Sequence, residues 1–172
     1  MKSGLEISLS GSDRRSIGDS NKVANAVRTQ QQFDELFKLL FHKDRLIVMR
    51  AADATEKVTR KHPEYLDPHR AVVLDLAFGE IEKELQWHVA QLLPRLKLKG
   101  RQYKRVVELL KRWSMQPGGS RIVRVNSLQG LFDMMTLKSD GRRVLEPVLK
   151  KLEQEGIPSL SARCRILRKS LR

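Results

Sequence analysis

The sequence predicts an all-α fold, a solenoid of about four helix pairs, on three observations. A ten-residue register recurs at Met49–Val58, Trp87–Leu96, Val123–Phe132 and Ala162–Leu171. Aligned on it, one column is basic or imidazole (Arg50, His88, Arg124, Arg163). Three columns are apolar: Ala51, Val89, Val125, Cys164; Ala54, Leu92, Leu128, Leu167; and Val58, Leu96, Phe132, Leu171. Members of the basic column stand 38, 36 and 39 residues apart, the period of a two-helix repeat. Finally, no segment shows the alternating Val/Ile/Thr pattern of a strand.

Each element has a local reason. Residues 1–20 are rich in Ser, Gly and charge without an apolar period and read as a flexible N-terminal tail, leaving 21–172 as the repeat domain. A short helix is expected at 21–28 behind a cap at Ser20, with Val23, Ala26 and Val27 on one face. Thr29 caps the first helix of repeat one, which carries Phe33, Leu36, Phe37 and Leu40, and Gln32 completes a capping box. Lys43-Asp44 starts the second, which runs to about Arg60, an exposed helix-end cation, and His62-Pro63 closes the repeat.

Repeat two pairs a helix bearing Val72, Val73, Leu76 and Ala77 with one bearing Leu85, Val89, Leu92 and Leu96, broken at Gly79. Repeat three begins at Gly100 with Tyr103, Val106, Val107, Leu110 and Trp113. It turns at Gln116-Pro117-Gly118-Gly119-Ser120 and continues, capped by Ser120, through Ile122, Val125, Leu128 and Leu131. Repeat four holds Val144, Leu145, Val148, Leu149 and Leu152, with a kink or later start expected at Pro147, and its last helix starts near Ser159.

A chain of 172 residues is long enough to bury a core, since a domain of about 150 residues buries roughly 68–70% of its unfolded surface. The lone Cys164 cannot form an intramolecular disulfide and falls in an apolar column, as a small core residue would. The first residues show no apolar run of signal length, and no window approaches about 18 uninterrupted apolar residues, so a cytoplasmic protein without membrane contact is expected.

Charge is asymmetric. Residues 1–96 hold 15 Lys/Arg against 14 Asp/Glu, whereas 97–172 hold 19 against 6, so that +1 and +13 make up the net +14. A one-sided field favours anionic partners, here an acidic protein or nucleic acid held through its phosphates, while a basic face kept for solubility would look the same in sequence.

The repeat resembles HEAT-type helical repeats, in which an acidic residue near the inter-helix turn and an Arg a few residues into the second helix are typical; Asp44 with Arg50 matches. Over about residues 17–171 the chain is similar to small bacterial HEAT-like repeat proteins of unassigned activity. Arg50-Ala51-Ala52-Asp53-Ala54, His62-Pro63, Trp87-His88 with Ala90-Gln91, and Ser120 with Ile122-Val123 carry that likeness. It implies a fold and no reaction. Repeats two to four depart from the Asp/Arg pattern, with Glu84 or Ser120 near the turn.

Two groups are candidates for binding. In a solenoid, equivalent positions on successive inner helices form a ladder, so Arg50, His88, Arg124 and Arg163 could present donors to an extended anion; alternatively each bonds an acid or helix-end carbonyl of a neighbouring repeat. Lys83, Glu84, Trp87, His88 and Gln91 form the second group, with Glu84 and His88 one turn apart. With the basic C-terminal half added, the expected binding residues are Arg50, Trp87, His88, Gln91, Arg121, Arg124, Arg163, Arg165 and Arg168.

No metal site is expected, because His42, His62 and His69 offer no second helical pair. The residues following the four histidines, Lys43, Pro63, Arg70 and Val89, also lack the His-Glu pairs of the deoxyhypusine-hydroxylase type of HEAT enzyme. HEAT-like DNA glycosylases supply the alternative function, since Asp53, Trp87 and Arg124 correspond by analogy to the Trp, Arg and Asp of their cleft. The chain is short for that family and the motifs do not align. Without a Gly-rich phosphate loop, nucleophile elbow or cysteine metal motif, no cofactor is expected, and a non-enzymatic binding or scaffold module is the leading reading.

Overall fold

A computed structural model describes residues 18–79, 82–136 and 138–171, together with Gly4 and Leu9. Among the described residues there are helices and no strand: α1 Gly18–Ala26, α2 Gln30–Lys38, α3 Arg45–Lys61, α4 Arg70–Phe78, α5 Lys83–Leu92, α6 Gly100–Met115, α7 Arg121–Met135, α8 Gly141–Gln154 and α9 Pro158–Ser170. Short 3-10 turns stand at Leu39–Phe41, Pro63–Leu66 and Leu93–Arg95. The chain divides into two compact units, 1–75 and 76–172. No described helix is long and apolar enough to cross a membrane.

In the first unit α3 is the central helix, packed by α1, by α2 and by the turns at Leu39–Phe41 and Pro63–Leu66. Its start is fixed by Asp44, whose carboxylate accepts from the Leu46 N–H at 2.9 Å. Thr29 caps α2 by accepting from the Gln32 N–H, and Gln32 Oε1 accepts from the Arg28 N–H at 2.8 Å. The buried face of α2 puts Phe33 and Phe37 into a ring cluster with Tyr65 and His69, Phe37 stacking on His69 at 4.1 Å between centroids.

The tail expected over residues 1–20 lies largely outside the described residues. Leu9 is buried. Helix α1 already includes Ser20, so Ser20 is not its cap; the hydroxyl donates instead to the Asp53 carboxylate.

The second unit is organised around α7, which packs against α5, α6, α8, α9 and the Leu93–Arg95 turn. Its sequence has apolar residues on every side, as a surrounded helix requires: Val123, Leu128, Leu131, Phe132, Met134 and Met135 are all buried. Burying each of these large side chains stabilises the unit by about 1.5–3 kcal/mol. Gly130 allows a close approach of α7 to α5, since a Cβ there would stand 2.6 Å from the Ala90 carbonyl oxygen.

Three local expectations are corrected. Helix α5 stops at Leu92, short of Leu96, because Pro94 has no N–H to extend an α-helical ladder and the chain tightens into a 3-10 turn. Ser120 occupies the cap position of α7 without a side-chain cap bond. Pro147 does not delay α8, which starts at Gly141 and runs through it to Gln154. The bond it forgoes belongs to the Arg143 carbonyl on an exposed part of the helix, where water can serve.

Candidate functional site

Ten of the twelve residues in the three apolar columns are buried, Val125 and Leu171 being half-buried, so the register marks the interior of both units. The basic column goes the same way. Arg50 is 4% exposed, and His88 and Arg124 are each 2% exposed. The Arg50 guanidinium donates through Nη1 to the Leu9 carbonyl at 2.7 Å. Arg124 donates through Nε to the Ser114 carbonyl near the end of α6 at 2.9 Å, and through Nη2 to both carboxylate oxygens of Glu155 at 2.7 Å. Arg163 is half-buried and donates to Gln129 Oε1 at 2.7 Å. The three arginines are spent on holding neighbouring segments together.

Arg50 belongs to the first unit and the other eight expected binding residues to the second. Trp87 and Gln91 are half-buried on α5, where the indole meets the His88 ring and Gln91 Nε2 donates to the Trp87 carbonyl at 3.3 Å. Arg168 of α9 is clamped by Glu153 at 2.9 and 3.0 Å and by Glu146, and these hydrogen bonds push its guanidinium above the ordinary arginine value. Arg121 and Arg165 are exposed. Asp53, the acid of the glycosylase analogy, is held by Ser20 and Lys57 within the first unit. Cys164 is fully buried, and burial, reinforced by Glu153, raises its thiol to about 11, so it stays protonated and unreactive near neutrality.

Most of the accessible positive charge of the second unit lies on cations outside the basic column. Helix α6 exposes Arg101, Lys104, Arg105 and Arg112 at helical spacing on one face, with Glu108 among them. Helix α8 exposes Arg142, Arg143, Lys150 and Lys151, and α9 exposes Arg165 and Lys169. Among the described residues, Arg101, Lys104, Arg112, Arg165 and Lys169 have no carboxylate in ion-pair reach. The α6 stripe is visible in sequence as an i, i+3, i+4, i+11 pattern of bases opposite the apolar Val106, Leu110 and Trp113 face. The repeating register drew attention to the interior column instead.

At the side of this stripe, Phe78 at the end of α4 remains 38% exposed, with the Arg105 guanidinium 4.2 Å over its ring. Among the described residues no group of three or more His, Cys, Asp or Glu side chains is arranged to hold a metal ion. Comparison of the chain with protein-family models, curated proteins and solved structures finds no match in any of the three.

Proposed function

We propose that this chain is a non-enzymatic binding or scaffold module, a HEAT-like solenoid of four helix pairs that contacts an anionic macromolecule through a basic surface. Support for the pairing comes from α2 on α3, α6 on α7 and α8 on α9, each a sequential helix pair in contact. The reading rests on one observation above all. Nineteen Lys/Arg stand against six Asp/Glu in residues 97–172, and α6, α8 and α9 carry bases that are exposed at the surface of the second unit. Charge displayed in this way raises the local concentration of polyanions and accelerates their encounter.

Retention on an immobilised polyanion such as heparin tests the proposal. The whole chain is expected to bind at about 50 mM salt and to elute as salt rises, because phosphate- or sulfate-directed binding is driven by counterion release. A chain that flows through heparin at that salt contradicts it.

A further inference from the structure

The outer face of α6 carries more than charge. Two adjoining hollows of about 500 and 550 Å3 share Glu108 and Arg112, and so form one groove along the helix. One end is lined by Phe78, Lys104 and Arg105, and the other runs past Trp113 to Pro117. Resting on the proposed polyanion-binding function, we infer that this groove is a contact site for single-stranded nucleic acid, with Phe78 and Arg105 as the stacking platform and Lys104 and Arg112 as phosphate contacts.

The residue types select that ligand class. Single strands are bound where a positive groove tracks the backbone beside an aromatic ring on which a base can stack. Phe78 and Arg105 supply a ring and a guanidinium in contact, both at the surface, and bases stack on either kind of plane. Lys104 and Arg112 lie eight residues apart, about 12 Å along the helix, which separates two phosphate contacts along one strand. A duplex hides its base faces and gives Phe78 nothing to cover. Glu108 lies between the cations, where its carboxylate can accept hydrogen bonds from the exocyclic amino groups of an unpaired base.

The test uses the whole chain and fluorescence anisotropy with a labelled single-stranded RNA 20-mer of mixed sequence, its duplex form and labelled heparin. Three variants are compared with the parent: the exposed-cation double variant Lys104→Gln/Arg112→Gln, Phe78→Leu, which keeps apolar bulk without a ring, and Phe78→Trp. The single strand is expected to bind more tightly than the duplex. Phe78→Leu should weaken single-strand binding roughly 5- to 150-fold, the range of one lost base–aromatic stack, with an unchanged salt slope. Phe78→Trp should retain it. The double variant should flatten the slope by about 0.7 per lost phosphate contact.

Tight single-strand binding that Phe78→Leu leaves intact overturns the inference, as does a duplex bound as well as the single strand. In either case heparin binding by the parent chain leaves the polyanion-binding function standing. Failure to bind all three probes overturns both.

Discussion

Arg124 on α7 and Glu155 at the C-terminal cap of α8 form a pair in which one guanidinium nitrogen meets both carboxylate oxygens at 2.7 Å. The burial is unequal. Arg124 is 2% exposed, whereas Glu155 lies at the surface. Removing the exposed partner therefore strands a charge in the interior, and Glu155→Gln should cost on the order of 3 kcal/mol in a urea melt, far more than a surface substitution. Adding Arg124→Met should recover part of the loss, because it removes the stranded charge. Binding to heparin per folded molecule should not change.

Gly130 and Leu128 test the packing around α7 from opposite directions. Leu128 is fully buried, and Leu128→Ala should cost about 2–5 kcal/mol. Gly130→Ala adds a methyl where backbone stands 2.6 Å away, and overpacking of that kind should cost about 1–3 kcal/mol. Equilibrium unfolding of both variants checks the pair; a neutral Gly130→Ala would mean that α5 and α7 do not approach this closely.

Asp34 gives the first unit a pH dependence. Burial pushes its carboxyl up, but hydrogen bonds from Gln30 and His69, helped by the charges of His69 and Lys38, prevail and hold it below the ordinary value. A lowered folded value means that its stabilising contribution is fully present above the unfolded value of about 3.9 and is lost as pH falls through the folded one. The stability gap between the parent chain and Asp34→Asn should therefore close as pH falls below about 4. Thermal melts across that range check the sign.

Arg60 is exposed at the end of α3, yet it pairs at 2.7 Å with Glu56, whose side chain is only 2% exposed. Arg60→Ala should cost about 1.5–3 kcal/mol, the range for losing a hydrogen bond to a charged group. A urea melt within about 0.5 kcal/mol of the parent would assign Arg60 to the ordinary surface.

Arg60 stands at an exposed helix end as its sequence implies, and only its partner is not legible there. Helix positions and the buried columns were legible, because apolar spacing and the caps at Thr29 and Asp44 act over one or two turns. Partner choice was not. Arg60 reads as a helix-end cation until packing buries Glu56 one turn back, and Arg50 near Asp44 reads as its partner until Leu9 brings a carbonyl to it from 41 residues away. For the candidate site the same limit applies: a basic column in register is visible, but only packing reveals that Arg50 and Arg124 are inside and that α6, α8 and α9 carry accessible bases.

If the basic surface of residues 97–172 contacts polyanions, the salt dependence of binding to a labelled duplex of about 20 base pairs reveals it. The logarithm of the binding constant should fall linearly with the logarithm of salt, at a slope of about −0.9 per phosphate neutralised, with affinity near physiological salt of ~10⁻⁴–10⁻⁶ M. Arg165→Gln with Lys169→Gln should weaken binding and flatten the slope, whereas the same loss of charge through Arg14→Gln with Arg15→Gln should have little effect. Equal effects of the two double variants, or a slope of zero for the parent chain, would contradict the account.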